Sequence, residues 1–291
     1  MTKIGIVGGG RSATLHAEAA AAASGVELVG VGGRPGSAGL LADAMGVADM
    51  SLQELASRAD GLVLAVPALA MADIVTALPA PLPVLVEMPM GDVGSYPGPV
   101  MTGANLLHSA LAKKALRAIA DLGDVHHLAL RGRALRRPDA DDLLNQPFAG
   151  AWPVILAAAG AAVTAVRADI EPTAANIELE LADGRRVSAS LHWVDTEHAA
   201  RTEIEAAAST GVVSCELWPT PRLELDGTAV ATTDEHPLVT LGFIEQMRRF
   251  ASLCSGRGDA WPPGSVGLGV HHLTAAARTS ADRQGEWLAI G

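Results

Sequence analysis

The 291-residue chain is short of several things, and each shortage narrows what it can do. It has two cysteines, Cys215 and Cys254, neither with a short-spaced partner. That excludes the paired-cysteine spacing of structural zinc sites and gives no disulfide framework. No run reaches the roughly 18–20 uninterrupted apolar residues of a membrane-spanning helix. Basic residues are scarce: Lys and Arg total 21 against 32 Asp and Glu, a net charge of -11. Such a balance argues against nucleic acid or anionic membrane as a partner and leaves a small-molecule substrate. The scarcity is also local, since no Lys or Arg occurs from Ala59 through Ala112. No apolar signal segment precedes the first strand-like run, so a cytoplasmic location is expected. The neighbours His126-His127 and His271-His272 point in different directions on helix or strand, and no metal site is expected.

What is present begins with "KIGIVGGGRSATLHAEAAAAA": a short β run, a glycine turn and an alanine-rich helix. The turn reads Gly8-x-Gly10-x-x-Ala13. Gly8 permits the tight turn, Gly10 lets a pyrophosphate approach the backbone, and Ala13 lets helix and strand pack closely. The helix start, Arg11-Ser12-Ala13, offers N–H donors to the phosphates. A second strand, "GVELVGVGG", ends about twenty residues later, where an NAD site would carry an acid for the ribose hydroxyls. Here Gly33, Arg34 and Ser37 occupy that place. An acid would repel a 2′-phosphate, whereas Arg34 and a hydroxyl would bind one, so NADP(H) is expected over NAD(H). The plainer reading of Arg34 is a solvated loop residue.

"GLVLAVP" and "PLPVLVEMPMG" read as buried strands alternating with helices, which predicts a doubly wound parallel sheet. In such sheets ligands meet the carboxyl ends of the strands, which places Val66-Pro67 and Glu87-Met88-Pro89 beside the cofactor and substrate.

The glycine turn with His16, the strand ending in "VP", and "VLVExP" resemble the glucose-fructose oxidoreductase / inositol dehydrogenase / rhizopine-catabolism (Gfo/Idh/MocA) family. The resemblance continues through "LGDVHHLALRGR", "ASTGVVSCELWPTPRLELDG" and "HHLTAAARTSADRQGEWLAI". It implies an α/β chain: an NAD(P)-binding Rossmann domain over 1–120, then an α+β domain over 121–291. The second domain would hold a large, mostly antiparallel open sheet, with a C-terminal segment free to pack back on the first. It further implies a homodimer or homotetramer built through that sheet, and redox chemistry on small substrates.

Three departures stand out against the family pattern. Met88 replaces the Lys of the Glu-Lys-Pro motif, which polarises the reacting oxygen. Gly150 and Pro153 fall where a second motif supplies ionisable residues, and Met71 falls where a His is often found. The groups that handle protons in a polyol dehydrogenase are therefore missing together. Met88 itself also reads simply as apolar filler at a strand end. "VEMPM" is similar to the Glu-x-Pro-Met variant of biliverdin-reductase-like branches, which also lack the Lys. Asn105, His108 and Lys113, on a helix read from "NLLHSALAKKALRAIADLGD", are the nearest catalytic candidates in sequence, with a solvated helix face as the bland alternative. Arg131 and Arg133 share a strand face and could clamp a carboxylate or pair with the acidic excess. His192 and Trp193 could face a cleft or an interface. The expectation is an NADP(H)-dependent oxidoreductase reducing an imine-like, conjugated or otherwise activated small molecule. Its rivals are a catalytically degenerate nucleotide- or ligand-binding chain and a non-redox isomerase or cyclase.

Overall fold

Short apolar runs alternate with helical runs through the first hundred residues, and the backbone follows that alternation. The computed structural model describes residues 1–34, 36–79, 81–94, 96–136, 142–144 and 147–290. The chain begins with β1 (Thr2–Val7), α1 (Arg11–Ala22), β2 (Val26–Gly32), α2 (Ser37–Met45) and β3 (Ala48–Met50). It continues with α3 (Leu52–Arg58), β4 (Gly61–Leu64), α4 (Met71–Ala77), β5 (Val84–Glu87) and β6 (Val100–Gly103). Then come α5 (Ala110–Asp121), β7 (Val125–Leu135), α6 (Trp152–Ala159), β8 (Val163–Glu171), β9 (Ala174–Leu181) and β10 (Arg186–Val194). β11 (Arg201–Ala208), β12 (Gly211–Trp218), β13 (Arg222–Leu225) and β14 (Thr228–Thr232) follow. α7 (Pro237–Thr240), α8 (Phe243–Cys254), α9 (Gly264–Asp282) and β15 (Leu288–Ala289) end the chain. Two compact units result: Met1–His108 with Pro237–Leu268, and Ser109–His236 with Gly269–Gly291.

The first unit holds a six-stranded sheet in the order β3-β2-β1-β4-β5-β6, parallel throughout. This is the doubly wound order, and its direction reverses between β1 and β4. β4 is buried along its whole length, as a parallel strand covered on both faces should be. α1 turns a face of small residues, Ala13, Ala17 and Ala20, into the core, which allows close approach to the sheet. Phe243, Met247 and Phe250 of α8 join Ile4, Ile6, Val63 and Leu85 in that core. Burying one such phenylalanine contributes roughly 1.5–3 kcal/mol. Ser51 and Glu54 form a reciprocal capping box at the start of α3, and the Ser51 hydroxyl and N–H hold the Glu54 carboxyl below its ordinary pKa.

The exposed edge left by β6 is covered by the later segment of the same unit. Thr102 N donates to the Pro262 carbonyl at 2.8 Å, and its hydroxyl donates to that of Pro263 at 2.7 Å. Gly267 N in turn donates to the Thr102 hydroxyl at 3.1 Å. A paired edge cannot recruit a foreign strand. The helix expected from Asn105 is divided. Asn105–His108 is a single 3-10 turn, and Ser109, extended at φ -59° and ψ 133°, caps α5 by accepting from Ala112 N at 3.4 Å.

The second unit holds a nine-stranded sheet in the order β14-β13-β12-β11-β7-β10-β9-β8-β15. Among its described strands β7 and β10 pair in parallel and the rest antiparallel. Alternation sorts its faces: Ile177, Leu179, Leu191 and Ile204 are buried, while their neighbours along each strand are polar or charged. Gly132 makes room for the Phe148 ring, since a Cβ there would stand 2.4 Å from it. Trp152, on α6, donates from Nε1 to the Leu144 carbonyl at 3.2 Å. The charged side carries Arg167–Glu178, Arg131–Glu205 and Arg201–Glu216 pairs. No helix among the described residues is long and apolar enough to cross a membrane.

Candidate cofactor and substrate site

The glycine turn after β1 is tight on one side and open on the other. Gly8 has φ +134°, and a Cβ on it would stand 2.2 Å from the Ala65 carbonyl oxygen. Its N–H donates to the Gly32 carbonyl at 2.8 Å, fixing the turn to the end of β2. A Cβ on Gly10 would meet nothing among the described residues within 4 Å. Gly10 is also the extended N-cap of α1, where no side-chain cap bond is made. The helical ladder starts with Thr14 N donating to Gly10 O at 3.0 Å, so the first-turn N–H groups of Arg11, Ser12 and Ala13 lie outside it. Open space, a bare helix start and a buried Ala13 against the strand fit the pyrophosphate of a dinucleotide.

At the end of β2, Gly33 has φ +150° and packs on Gly8, its notional Cβ 3.2 Å from Gly8 N. Arg34 is exposed, and the Ser37 hydroxyl, in the first turn of α2, donates to the Arg34 carbonyl at 3.4 Å. The strand end therefore presents a guanidinium and a hydroxyl with no carboxylate in Gly33-Arg34-Pro35-Gly36-Ser37.

Val66 and Pro67 follow β4 and lead into a 3-10 turn, Ala68–Ala70, then α4. The loop after β5 lies against that turn, because a Cβ on Gly91 would stand 2.1 Å from the Ala68 carbonyl oxygen. Met71 is wholly buried beneath it, so it acts as packing. Glu87 closes β5. One of its oxygens, Oε2, is hydrogen-bonded to His16 Nε2, and the other, Oε1, accepts from Met88 N at 2.9 Å. His16 comes from the inner face of α1, is fully buried, and meets Phe243 edge-on with ring centroids 5.4 Å apart. Met88 is buried as well.

Asn105 donates from Nδ2 to the Leu241 carbonyl at 2.9 Å. The Gln246 amide, oriented to accept, takes the N–H groups of Ala104 and Asn105 at 3.0 and 3.1 Å. Asn105 thus ties two segments of the first unit together. His108 is buried with its ring edge-on to Trp261, centroids 5.0 Å apart. Lys113 lies half-buried on α5, in the second unit. In that unit Arg131 makes a two-pronged bond to Glu205 at 2.9 and 3.0 Å, the pairing alternative to a substrate clamp. Arg133 is exposed, and His192 Nε2 lies 3.0 Å from the Ser190 hydroxyl. Pro153 is buried in the first turn of α6. Among the described residues no group of three His, Cys, Asp or Glu could hold a metal ion.

Comparison with known proteins agrees with this layout. A family model described as NADP oxidoreductase, coenzyme F420-dependent, matches residues 3–86. No curated protein sequence matches. Among solved structures, GenD2 from gentamicin A biosynthesis, in complex with NAD, superposes with a TM-score of 0.85 at 20% identity. That match covers 100% of this chain and 96% of the other. UDP-N-acetylglucosamine 3-dehydrogenase GnnA from Acidithiobacillus ferrooxidans gives 0.80 at 19% identity, covering 97% and 98%. Scyllo-inositol dehydrogenase from Lactobacillus casei, with NAD(H) and scyllo-inositol bound, gives 0.80 at 15% identity, covering 99% of each chain. The chain has the Gfo/Idh/MocA fold.

On this fold the positions singled out in the sequence gather along one edge. Gly8, Gly10, Gly33, Arg34, Val66, Pro67, Glu87 and Met88 all lie at or just after the carboxyl ends of β1, β2, β4 and β5. Arg11, Ser12, Ala13 and Ser37 start the two helices that follow β1 and β2. One member of the arrangement escaped the sequence reading as a site residue: His16, the partner of Glu87. A signal existed, for His16 is the single polar residue on the buried face Ala13, His16, Ala17, Ala20 of α1. A polar group on such a face needs a partner from elsewhere in the chain.

Proposed function

We propose that the protein is an NADP(H)-dependent oxidoreductase that reduces an activated small molecule, imine-like or conjugated. Gly8, Gly10 and the start of α1 would hold the pyrophosphate, and Arg34 with Ser37 would hold the 2′-phosphate. The bound cofactor supplies a hydride. The observation that carries the reading is at the end of β5, where Met88 stands beside Glu87 and the Glu87 carboxylate is engaged by His16. A thioether can neither donate a proton nor stabilise an alkoxide, so the alcohol–ketone reaction lacks its acid–base partner there. A substrate already activated needs only to be held over the hydride donor and shielded from water. The match of residues 3–86 to an NADP oxidoreductase model supports the cofactor half of this reading.

The test is a fluorescence titration with NADPH, followed by assays of NADPH consumption with a cyclic imine and a ketone of the same size. Binding with turnover of the imine alone is expected. Failure to bind NADPH, or faster turnover of the ketone, overturns the proposal.

A further inference from the structure

Glu87 is held by two donors, and among the described residues no Lys or Arg pairs with it. His16 is wholly buried, and its Nδ1 has no hydrogen-bond partner among the described residues. A buried N–H without an acceptor is a costlier defect than a bare ring nitrogen. The ring proton therefore sits on Nε2, where it donates to Glu87 Oε2, while Met88 N donates to Oε1 at 2.9 Å. Two donors facing one carboxyl group make it a carboxylate. Its side chain, at the carboxyl end of β5, is 14% exposed.

Among the described residues no Lys or Arg forms an ion pair with Glu87. No Lys or Arg occurs between Ala59 and Ala112, so neither the turn after β4 nor the loop after β5 carries one. The arginines of α8, which packs on α1, are engaged elsewhere. Arg248 faces Glu245 at 3.7 Å, and Arg249 lies over the Trp261 ring, 5.1 Å from its centroid. Arg11 and Arg34 stand at the turns after β1 and β2, where phosphates are expected.

We infer that this uncompensated Glu87 carboxylate makes the site select a cationic substrate, a protonated or N-alkylated imine; the inference rests on the reductase reading above. In that reduction the iminium carbon gains a hydride and a C–H bond, and the C=N π pair becomes the lone pair of a neutral amine. NADPH is the two-electron reductant, oxidised to NADP⁺, and no proton is needed. Positive charge is present throughout, first on the substrate and then on the nicotinamide ring, so a fixed anion attracts it at every stage. A ketone would instead develop a negative oxygen, which the same anion opposes.

Two measurements on the full chain test this, each with Glu87→Gln and Met88→Lys beside the wild type. Calorimetry gives the affinity ratio of NADP⁺ to NADPH, which needs no turnover. It should fall roughly tenfold in both variants, since each removes or neutralises the anion. The second measurement is kcat/KM for an N-methyl cyclic iminium against a cyclic ketone of the same size, and that ratio should fall by a similar factor. If Glu87→Gln does not fold, Met88→Lys carries the comparison. Normal cofactor binding with both ratios unchanged overturns the inference and leaves the reductase reading standing. A wild type that binds neither cofactor form overturns both.

Discussion

Gly8 and Ala65 approach so closely that a single added carbon on Gly8 would stand 2.2 Å from the Ala65 carbonyl oxygen. A flexible side chain in that place could swing aside; here the obstacle is backbone, and φ is +134°. Gly8→Ala should therefore cost roughly 2–4 kcal/mol of stability, from strain and from the displaced strand end. Two residues on, Gly10 has φ -90° and open space beyond its Cα. Gly10→Val should fold with near-normal stability and lose cofactor binding, because its side chain would fill the place of the pyrophosphate. Denaturant melts with NADPH titrations separate the two effects. Normal affinity in a folded Gly10→Val protein would make the turn merely structural.

The proposed preference for NADP(H) rests on Arg34. It is exposed at the end of β2, beside Ser37 and without a carboxylate neighbour in the turn. Arg34→Ala should weaken NADP(H) by roughly 1–3 kcal/mol, the size of a charge-assisted contact, and leave NAD(H) nearly unchanged. Calorimetry with both cofactors checks this, and equal affinities that the substitution does not move would refute it.

The two thiols make a pH-dependent contribution to stability. Burial pushes Cys215 up to about 12, helped by Glu203 and Glu216, and burial with Asp60 does the same for Cys254. For both, the folded value lies above the ordinary 9, so folding favours the neutral thiol. That contribution is complete below pH 9 and is lost as pH rises from 9 through about 12. Urea melts between roughly pH 8 and 11 should show the wild type losing stability more steeply than a Cys215→Ala/Cys254→Ala protein. Native alkylation at pH 8 should be slow for the same reason. Parallel slopes for the two proteins would mean that the thiols titrate normally in the fold.

What could be read in the sequence was what is local. The glycine turn announces itself because Gly8, Gly10 and Ala13 meet their constraints within one strand–turn–helix unit, and the buried strands because their apolar runs are continuous. Ser109 carried a cap signal, and overlooking it merged the 3-10 turn Asn105–His108 with α5. The long-range partners were not legible. His16 and Glu87 are 71 residues apart, and the Leu241 carbonyl that takes the Asn105 amide is 136 residues away. Neither pairing follows from periodicity, which fixes the face a residue occupies and leaves its neighbour open. The same limit applied to Arg131, where strand alternation gave the face it shares with Arg133 and the register of β7 with β11 supplied Glu205.

Met88 next to Glu87 also bears on what a single substitution can restore. A Lys at 88 would stand beside a carboxylate already engaged by His16 and by the Met88 N–H, and would bring the chain closer to the Glu-Lys-Pro pattern. Even so, Met88→Lys should give no measurable oxidation of inositols or aldoses with NADP⁺. Gly150 and Pro153, at the positions matched to the second family motif, cannot ionise, and Met71 is buried packing in place of a His. Groups that act as a unit are strongly non-additive, so one recovered member adds little. Steady-state assays of wild type and Met88→Lys across roughly pH 7–10 check this, since a route through an alkoxide should speed up as pH rises. Robust polyol oxidation by the wild type would show that His108 or Lys113 takes the role of the missing Lys. Oxidation gained by Met88→Lys alone would show that the other three positions are dispensable.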